Sequence, residues 1–392
     1  MTDRLILLDV DVTGAGDVDR NGATRAALLL DGRLEDLLID PPEGDTAPAP
    51  GAIFWAKVDR LVPKMGGAFV RLTPARMGFL REAKGAREGR FVLVQVAAYA
   101  EPGKATPVTP NVLHKSPRVI YTPHAPGVNV SRRIRDDGER TRLSRAVEEA
   151  LDGAGLPGGF IVRTGAQGAD AAQIASEVRW ALAQAEAVRQ AAAEAAPLER
   201  AAGSPLPAAL LALREWAFAG PVRLRASGSA LEALGAARAA GDLWGDETLF
   251  GAIERHDGSD LFDQHGVREA IEALKSPRVA LPSGGWMAVE ATRAMVTVDV
   301  NTAAEFSGGS ALTANLEAAR ELPRQLRLRG LGGQVIVDFA PVRKTDRRRI
   351  EEALKAAFRR DAIETSLAGW TPLGNFELQR KRERRPLAEL PG

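Results

Sequence analysis

Asp299 and Asp338 each close a short apolar run, Val296-Thr297-Val298-Asp299-Val300-Asn301 and Val335-Ile336-Val337-Asp338-Phe339. Runs of this length, rich in β-branched residues, read as buried strands. A carboxylate buried in such a run is costly unless it is paired or holds a metal. If the two strands are neighbours, both carboxylates converge at one edge of a sheet, with the amide oxygen of Asn301 beside them. These are hard oxygen ligands suited to Mg2+, which keeps several of its waters and is held by one or two carboxylates. Such an ion can activate water and neutralise a phosphoryl oxygen during phosphodiester cleavage. Spacing alone equally allows the two acids to cap their strands or to pair with Arg320 or Arg327.

Two further constellations have residue types that could hold a single strand and a terminal phosphate. Phe69 and Phe79 sit on successive strand-like runs among Lys57, Arg71, Arg76 and Arg81. Aromatic rings in a basic field stack the bases of single strands, at roughly 1–3 kcal/mol per base; the alternative is packing inside a small barrel. Arg163-Thr164-Gly165 ends the apolar run that begins at Gly159. A guanidinium, a hydroxyl and a glycine-freed backbone can hold a terminal phosphate. Two other glycine-rich stretches fail as nucleotide loops. Gly330-Leu331-Gly332-Gly333 precedes a strand instead of following one, and Ser307-Gly308-Gly309-Ser310 lacks the lysine of a P-loop.

The elements that must position these residues are legible in outline. Runs at 5–10, 24–30 and 34–40 read as strands, the last two as a hairpin around Asp31-Gly32, with a Gly/Asp-rich turn at 13–21. A Pro/Gly linker at 41–51 leads into short strands near 53–59, 68–72, 77–80 and 91–96, the pattern of an OB-type barrel. Strand-like runs at 118–122 and 159–165 flank a charged helix at 139–151, and an Ala-rich helix covers 169–196. Past the turn Leu281-Pro282-Ser283-Gly284-Gly285, strands at 295–300 and 334–339 bracket a helix at 315–329, and a second helix follows at 347–358. Pro323 predicts a kink or break in the first of these helices, at a cost of about 3 kcal/mol.

Composition bounds the chemistry. The 392 residues contain no cysteine, which excludes disulfides, thiolate-held zinc, iron–sulfur clusters and a cysteine nucleophile. The four histidines, His114, His124, His256 and His265, show no ligand spacing. No apolar window of about 18 residues exists, so no membrane span is expected. The N-terminus does not read as a signal peptide, and a cytoplasmic location is expected. The net charge of +1 conceals unlike segments: −7 over residues 1–50, +11 over 51–145 and +6 over 342–385. Two basic blocks in a neutral chain suit a polyanion bound at two places.

With these residues in view, the sequence resembles the ribonuclease E/G family. The most specific run is Asn315-Leu316-Glu317-Ala318-Ala319-Arg320-Glu321, continuing through Arg324-Gln325-Leu326-Arg327-Leu328-Arg329 to Gly332-Gly333. Leu281–Gly285, Ser131-Arg132-Arg133-Ile134 and Gly159–Thr164 add ordered matches. The resemblance implies an α/β multidomain (α+β) architecture. A split RNase H-like subdomain occupies 1–50 and 198–280. Inserted in it are an S1-type OB barrel at 51–115 and a 5′-sensor domain at 116–197, and a DNase I-like catalytic subdomain follows at 281–392. It implies a Mg2+-dependent endoribonuclease that cleaves single-stranded RNA and favours a 5′-monophosphate. By the same resemblance Asp299 and Asp338 match metal-binding aspartates and Asn301 their supporting asparagine. Phe69, Phe79 and Lys104 match an RNA-binding surface, and Arg163 and Thr164 match 5′-phosphate contacts with Ile120 in the pocket wall.

The sequence also departs from the family pattern. The segment 306–313 is shorter, as is the region 85–90, and Pro341 stands where a second acid is common. Glu364 replaces a supporting arginine, which predicts weakened 5′-monophosphate sensing. Without cysteine the family's zinc link is not expected, so an oligomer would form through another surface. These departures keep a second expectation open, a non-catalytic RNA-binding or assembly protein on the same scaffold; a deoxyribonuclease is a third.

Overall fold

The computed structural model describes residues 2–10, 23–42, 44–151, 158–194, 205–241, 243–244, 247–258, 260–303 and 308–390. The expected turn at 13–21 and part of the shortened 306–313 segment lie outside them. The chain divides into two compact units. The first comprises Met1–Leu34, Leu38–Ala97 and Ala105–His265; the second comprises Glu35–Leu37, Ala98–Lys104 and Gly266–Gly392.

The first unit opens with β1 (Arg4–Val10), β2 (Thr24–Leu30) and β3 (Arg33–Ile39). Asp31 and Gly32 both have positive φ, 49° and 77°, the backbone of a tight hairpin turn matched to strand twist. Next, β4 (Ile53–Val62), β5 (Gly67–Thr73), β6 (Arg76–Leu80), β7 (Phe91–Val96) and β8 (Thr106–Thr109) close a five-stranded barrel in the order β4-β5-β6-β8-β7. Its interior is lined by small and branched residues, among them Ala56, Val58, Ala68, Val70, Leu72 and Val94. The last strand is absent from the sequence reading: it is only four residues long and contains a proline, which cannot donate to a ladder, and pairing with β6 and β7 supplies what so short a run does not signal.

A four-stranded sheet follows, built from β9 (His114–Lys115), β10 (Val119–Thr122), β11 (Gly127–Val130) and β12 (Gly159–Val162) in the order β11-β12-β10-β9. Helices α1 (Asp137–Leu151) and α2 (Ala171–Glu194) bury Val119, Tyr121, Phe160 and Val162 on one face. The chain then returns to its first sheet through α3 (Ala208–Trp216), β13 (Arg223–Ser227), α4 (Gly228–Ala239), α5 (Glu247–Gly251), β14 (Ile253–His256) and α6 (Leu261–Gln264). Strand β13 runs parallel to β1, giving the order β14-β13-β1-β2-β3. One sheet is therefore assembled from two segments far apart in sequence, with the barrel and the four-stranded sheet inserted between them.

The second unit contains α7 (Val267–Leu274), β15 (Arg278–Ala280), β16 (Trp286–Ala291), β17 (Val296–Asn301), α8 (Gly308–Leu328), β18 (Gly333–Asp338), α9 (Lys344–Arg360), β19 (Thr365–Trp370) and β20 (Phe376–Arg380). The strands order as β15-β16-β17-β18-β20-β19, and α8 and α9 cover one face of this sheet. Helix α8 begins seven residues earlier than expected and runs unbroken through Pro323. The proline removes one backbone hydrogen bond, but the burial of Ala318, Ala319, Leu322 and Leu326 against the sheet outweighs it. Gly330 ends the helix at φ 64°, where a Cβ would stand 1.7 Å from the Arg385 carbonyl oxygen. The glycine run at 330–333 is thus a turn under a close backbone approach, not a ligand loop.

Candidate active site and nucleic-acid interface

Strands β17 and β18 are parallel neighbours, and Asp299 is in direct register with Asp338. Val296, Val298 and Val300 point into the core, as do Val335 and Val337. A strand has a period of two, so Asp299 and Asp338 fall on the opposite face, which the helices leave uncovered. The expectation that both acids are buried is corrected here: both are exposed. Strand spacing of about 4.8 Å puts the two carboxylates within reach of one cation. Asn301, on the same face, donates from Nδ2 to Asp299 Oδ2 at 2.8 Å and so holds that carboxylate in place.

Neither acid has an arginine partner among the described residues. Arg327 is engaged elsewhere, with Asp361 at 2.7 Å, Glu35 at 2.5 Å and Asp36 at 3.3 Å, and Arg320 is exposed. The alternative pairing with these arginines is therefore not what the fold adopts. Two like charges directly opposed across a ladder repel unless a cation lies between them. The donor set of two carboxylates, with no third acid or histidine grouped with them among the described residues, fits an ion that completes its shell with water and substrate oxygens.

The residues of the α8 motif support this arrangement from beneath. Asn315 is fully buried; its Oδ1 accepts from Ala340 N at 3.0 Å and its Nδ2 donates to Ala340 O at 2.8 Å. This fixes the chain just past Asp338. Glu317 accepts from both Ser283 N (3.0 Å) and Ser283 Oγ (2.7 Å), which pins the turn before β16. Sequence reasoning recognised both residues as motif members without finding what they hold. Side-chain to backbone bonds across 25 and 34 residues leave no local signal.

On the barrel, Phe69 and Phe79 face each other across β5 and β6, with ring centroids 5.3 Å apart in an edge-to-face contact. Both are half-exposed on the outer surface, so they are not packed inside the barrel. The Arg60 guanidinium lies 5.2 Å from the Phe69 ring. Lys57 is exposed and paired in register with Arg71, which itself bonds Asp59 at 2.8 Å. Trp55 and Phe91 make a second, stacked pair at 6.1 Å that the sequence reading missed. Lys104 belongs to the second unit, where its ammonium pairs with Glu101 at 2.5 Å.

In the four-stranded sheet, Ile120 and Ile161 are opposite each other on the face away from α1 and α2. Arg163 leaves that sheet just past β12, and Thr164 follows it, its hydroxyl 3.3 Å from Ser131 Oγ. The Arg163 guanidinium donates to Glu215 Oε2 at 2.5 Å and to the Ser116 carbonyl at 2.8 Å. Glu215 also accepts from Arg214 at 2.8 Å. Burial pushes the Glu215 carboxyl up, but Arg214 and Arg163 more than reverse this and leave it at about 2. Glu215 is the partner that sequence reasoning did not anticipate.

Comparison with known proteins follows the same lines. The profile of the ribonuclease E/G family matches residues 115–383. The chain is 30% identical over 391 residues to ribonuclease G of Salmonella typhimurium, covering 92% of this chain and 78% of that protein. Ribonuclease G of Escherichia coli K12 is 30% identical over 398 residues, covering 94% of this chain and 79% of that one. Ribonuclease E of a Nostoc species is 31% identical over 401 residues, with 94% of this chain and 56% of the relative covered.

Proposed function

The chain belongs to the ribonuclease E/G family, and from that premise we propose that it is a divalent-metal-dependent endoribonuclease acting on single-stranded RNA, with Mg2+ as the ion. The observation that carries this reading is the pair of exposed, directly opposed carboxylates, Asp299 and Asp338, with Asn301 bonded to the first. Bound there, Mg2+ supplies charge neutralisation at a phosphoryl oxygen and a more acidic water. Asp299 and Asp338 hold the ion, Asn301 keeps Asp299 in one rotamer, and Asn315 keeps the end of β18 from drifting. Phe69 and Phe79 offer ring faces to unpaired bases, and Arg60, Lys57 and Lys104 add positive charge for the backbone.

The family resemblance also supports the subdomain division, with an S1-type barrel, a 5′-sensor sheet around Arg163, Thr164 and Ile120, a split RNase H-like sheet and a DNase I-like catalytic unit. Because Glu215 already occupies Arg163, discrimination in favour of a 5′-monophosphate is weak. No described helix is long and apolar enough to cross a membrane, and the cytoplasm is the proposed location.

The test is cleavage of a single-stranded oligonucleotide across a Mg2+ titration. Wild type cleaves; Asp299→Asn and Asp338→Asn bind the same RNA but do not cut it. Cleavage that survives both substitutions would remove these residues from the chemistry. RNA binding without cleavage at any Mg2+ concentration would instead favour a non-catalytic RNA-binding or assembly protein.

A further inference from the structure

The uncovered face of the second unit's sheet carries more than the two aspartates. Asn301 is in direct register with Trp286 on β16, and Asp299 with Ala288. Ala288 in turn faces Arg278 on β15. One line across four strands therefore reads Arg278, Ala288, Asp299, Asp338, with Trp286 beside it and opposite Asn301. Trp286 is half-buried and Arg278 exposed, with the guanidinium 4.6 Å from the indole ring centroid. Among the described residues Arg278 has no carboxylate partner. By this register Trp286 is the diagonal neighbour of Asp299, and diagonal neighbours on a sheet are about 7–8 Å apart. The diagonal between them is flanked by the methyl of Ala288 on one side and by Asn301, bonded to Asp299, on the other.

The backbone that presents the indole is also fixed. The turn before it closes with Leu281 N donating to Gly285 O at 2.8 Å, and Glu317 takes both donors of Ser283. A Cβ on Gly285 would stand 2.6 Å from the Asn301 carbonyl oxygen, so the residue preceding Trp286 approaches the metal-binding strand closely. An aromatic ring beside an unpaired guanidinium is a stacking platform for a planar ligand. From this we infer that Trp286, braced by Arg278, stacks the nucleobase adjacent to the scissile phosphate and thereby positions that phosphate over Asp299 and Asp338. The ribose between base and phosphate spans that diagonal. The inference rests on the endoribonuclease reading above.

The test uses the full chain and a single-stranded RNA with one mapped cleavage site, in versions abasic at each position in turn. With wild type, one position next to the cut shows a loss in kcat/KM of about 5- to 100-fold on base removal, the range that stacking energies imply. Trp286→Ala loses a similar factor on intact RNA and shows no further abasic penalty there, whereas Trp286→Phe retains most activity and the penalty. A structural role would lower all substrates alike and keep the abasic penalty, overturning the proposal. An independent readout is 2-aminopurine scanned through the RNA in metal-free buffer. One position is quenched on binding wild type and not on binding Trp286→Ala; equal quenching by both overturns the platform. Quenching needs no turnover, so it decides the role of Trp286 even if wild type cleaves nothing and the endoribonuclease reading itself fails.

Discussion

Glu215→Gln sharpens the enzyme's distinction between 5′-monophosphorylated and 5′-hydroxyl RNA. In the structure a phosphate arriving at Arg163 must compete with a carboxylate 2.5 Å away and share a guanidinium that also serves the Ser116 carbonyl. A sheltered hydrogen bond to a charged group contributes roughly 1.5–3 kcal/mol. The side chains of Arg163 and Glu215 are 22% and 29% exposed, and solvent screening brings the competition down to about 1–2 kcal/mol. Releasing it raises the preference for the phosphorylated end by about 5- to 30-fold. Glutamine keeps the shape and a hydrogen-bonding end, so a drop in melting temperature need not confuse the result. The assay is the ratio of kcat/KM on two oligonucleotides that differ only at the 5′ end. With its pKa at about 2, Glu215 stays ionised from pH 5 to 8 and contributes no pH dependence of its own. A terminal phosphate gains its second charge near pH 6, so the ratio rises between pH 5 and 7 in both proteins. If Arg163→Ala abolishes the preference while Glu215→Gln leaves it unchanged, the competition argument is wrong. If neither changes it, Arg163 is not the phosphate contact.

Four further outcomes are expected. At ten times its Kd, Mg2+ stabilises wild type by about 1.4 kcal/mol in thermal unfolding, and the shift disappears in Asp299→Asn, which in EDTA melts no lower than wild type because an opposed like charge is gone. Phe69→Ala or Phe79→Ala weakens single-stranded RNA binding by about 5- to 100-fold, and the double variant falls short of the product because the two rings touch; fluorescence anisotropy at fixed salt measures this. Asp361→Asn destabilises the fold by about 3–5 kcal/mol, read by denaturant unfolding, because it strands Arg380, whose side chain like that of Asp361 is 0% exposed, and removes the 2.7 Å partner of Arg327. Burial lowers His114 to about 4, so below its ordinary value the unfolded chain takes up the proton first; stability falls as pH drops from about 6.5 towards 4, by about 2 kcal/mol at pH 5, and His114→Gln removes that part of the slope.

What the sequence makes legible, and what it does not, separates along the range of the interactions. The alternation Val296, Val298, Val300 is already a one-faced strand pattern, and it places Asp299 outward. Reading Thr297 and Ile336 as further core residues, because they are β-branched, is what makes both aspartates look buried. Helix α2 is legible because a long Ala-rich run has few alternatives, and the Asp31-Gly32 hairpin because only a narrow set of residues tolerates its φ values. The fifth barrel strand is not legible, since Thr106–Thr109 is specified by its neighbours in space. Nor is Glu215, 52 residues from Arg163, or Trp286, whose role depends on a register with Asn301 that no local pattern encodes.

That division bears on how the departures from the family pattern act. The family resemblance leads to the expectation of an acid where Pro341 stands, and the backbone just before it is clamped from both sides by the buried Asn315 amide. The end of β18 is therefore held by α8 whatever side chain stands at 341, and Asp338 keeps its register with Asp299. Helix α8 carries an interior proline and still runs unbroken, because the same face that clamps Ala340 is buried against the sheet. The helix thus links three parts of the proposed catalytic face: Asn315 holds the strand end beyond Asp338, Glu317 holds the turn that presents Trp286, and the helix's apolar face packs beneath β17. A proline at 341 in such a frame leaves Asp299 and Asp338 in register, and this is why the geometry favours an enzyme over a scaffold that has lost its chemistry.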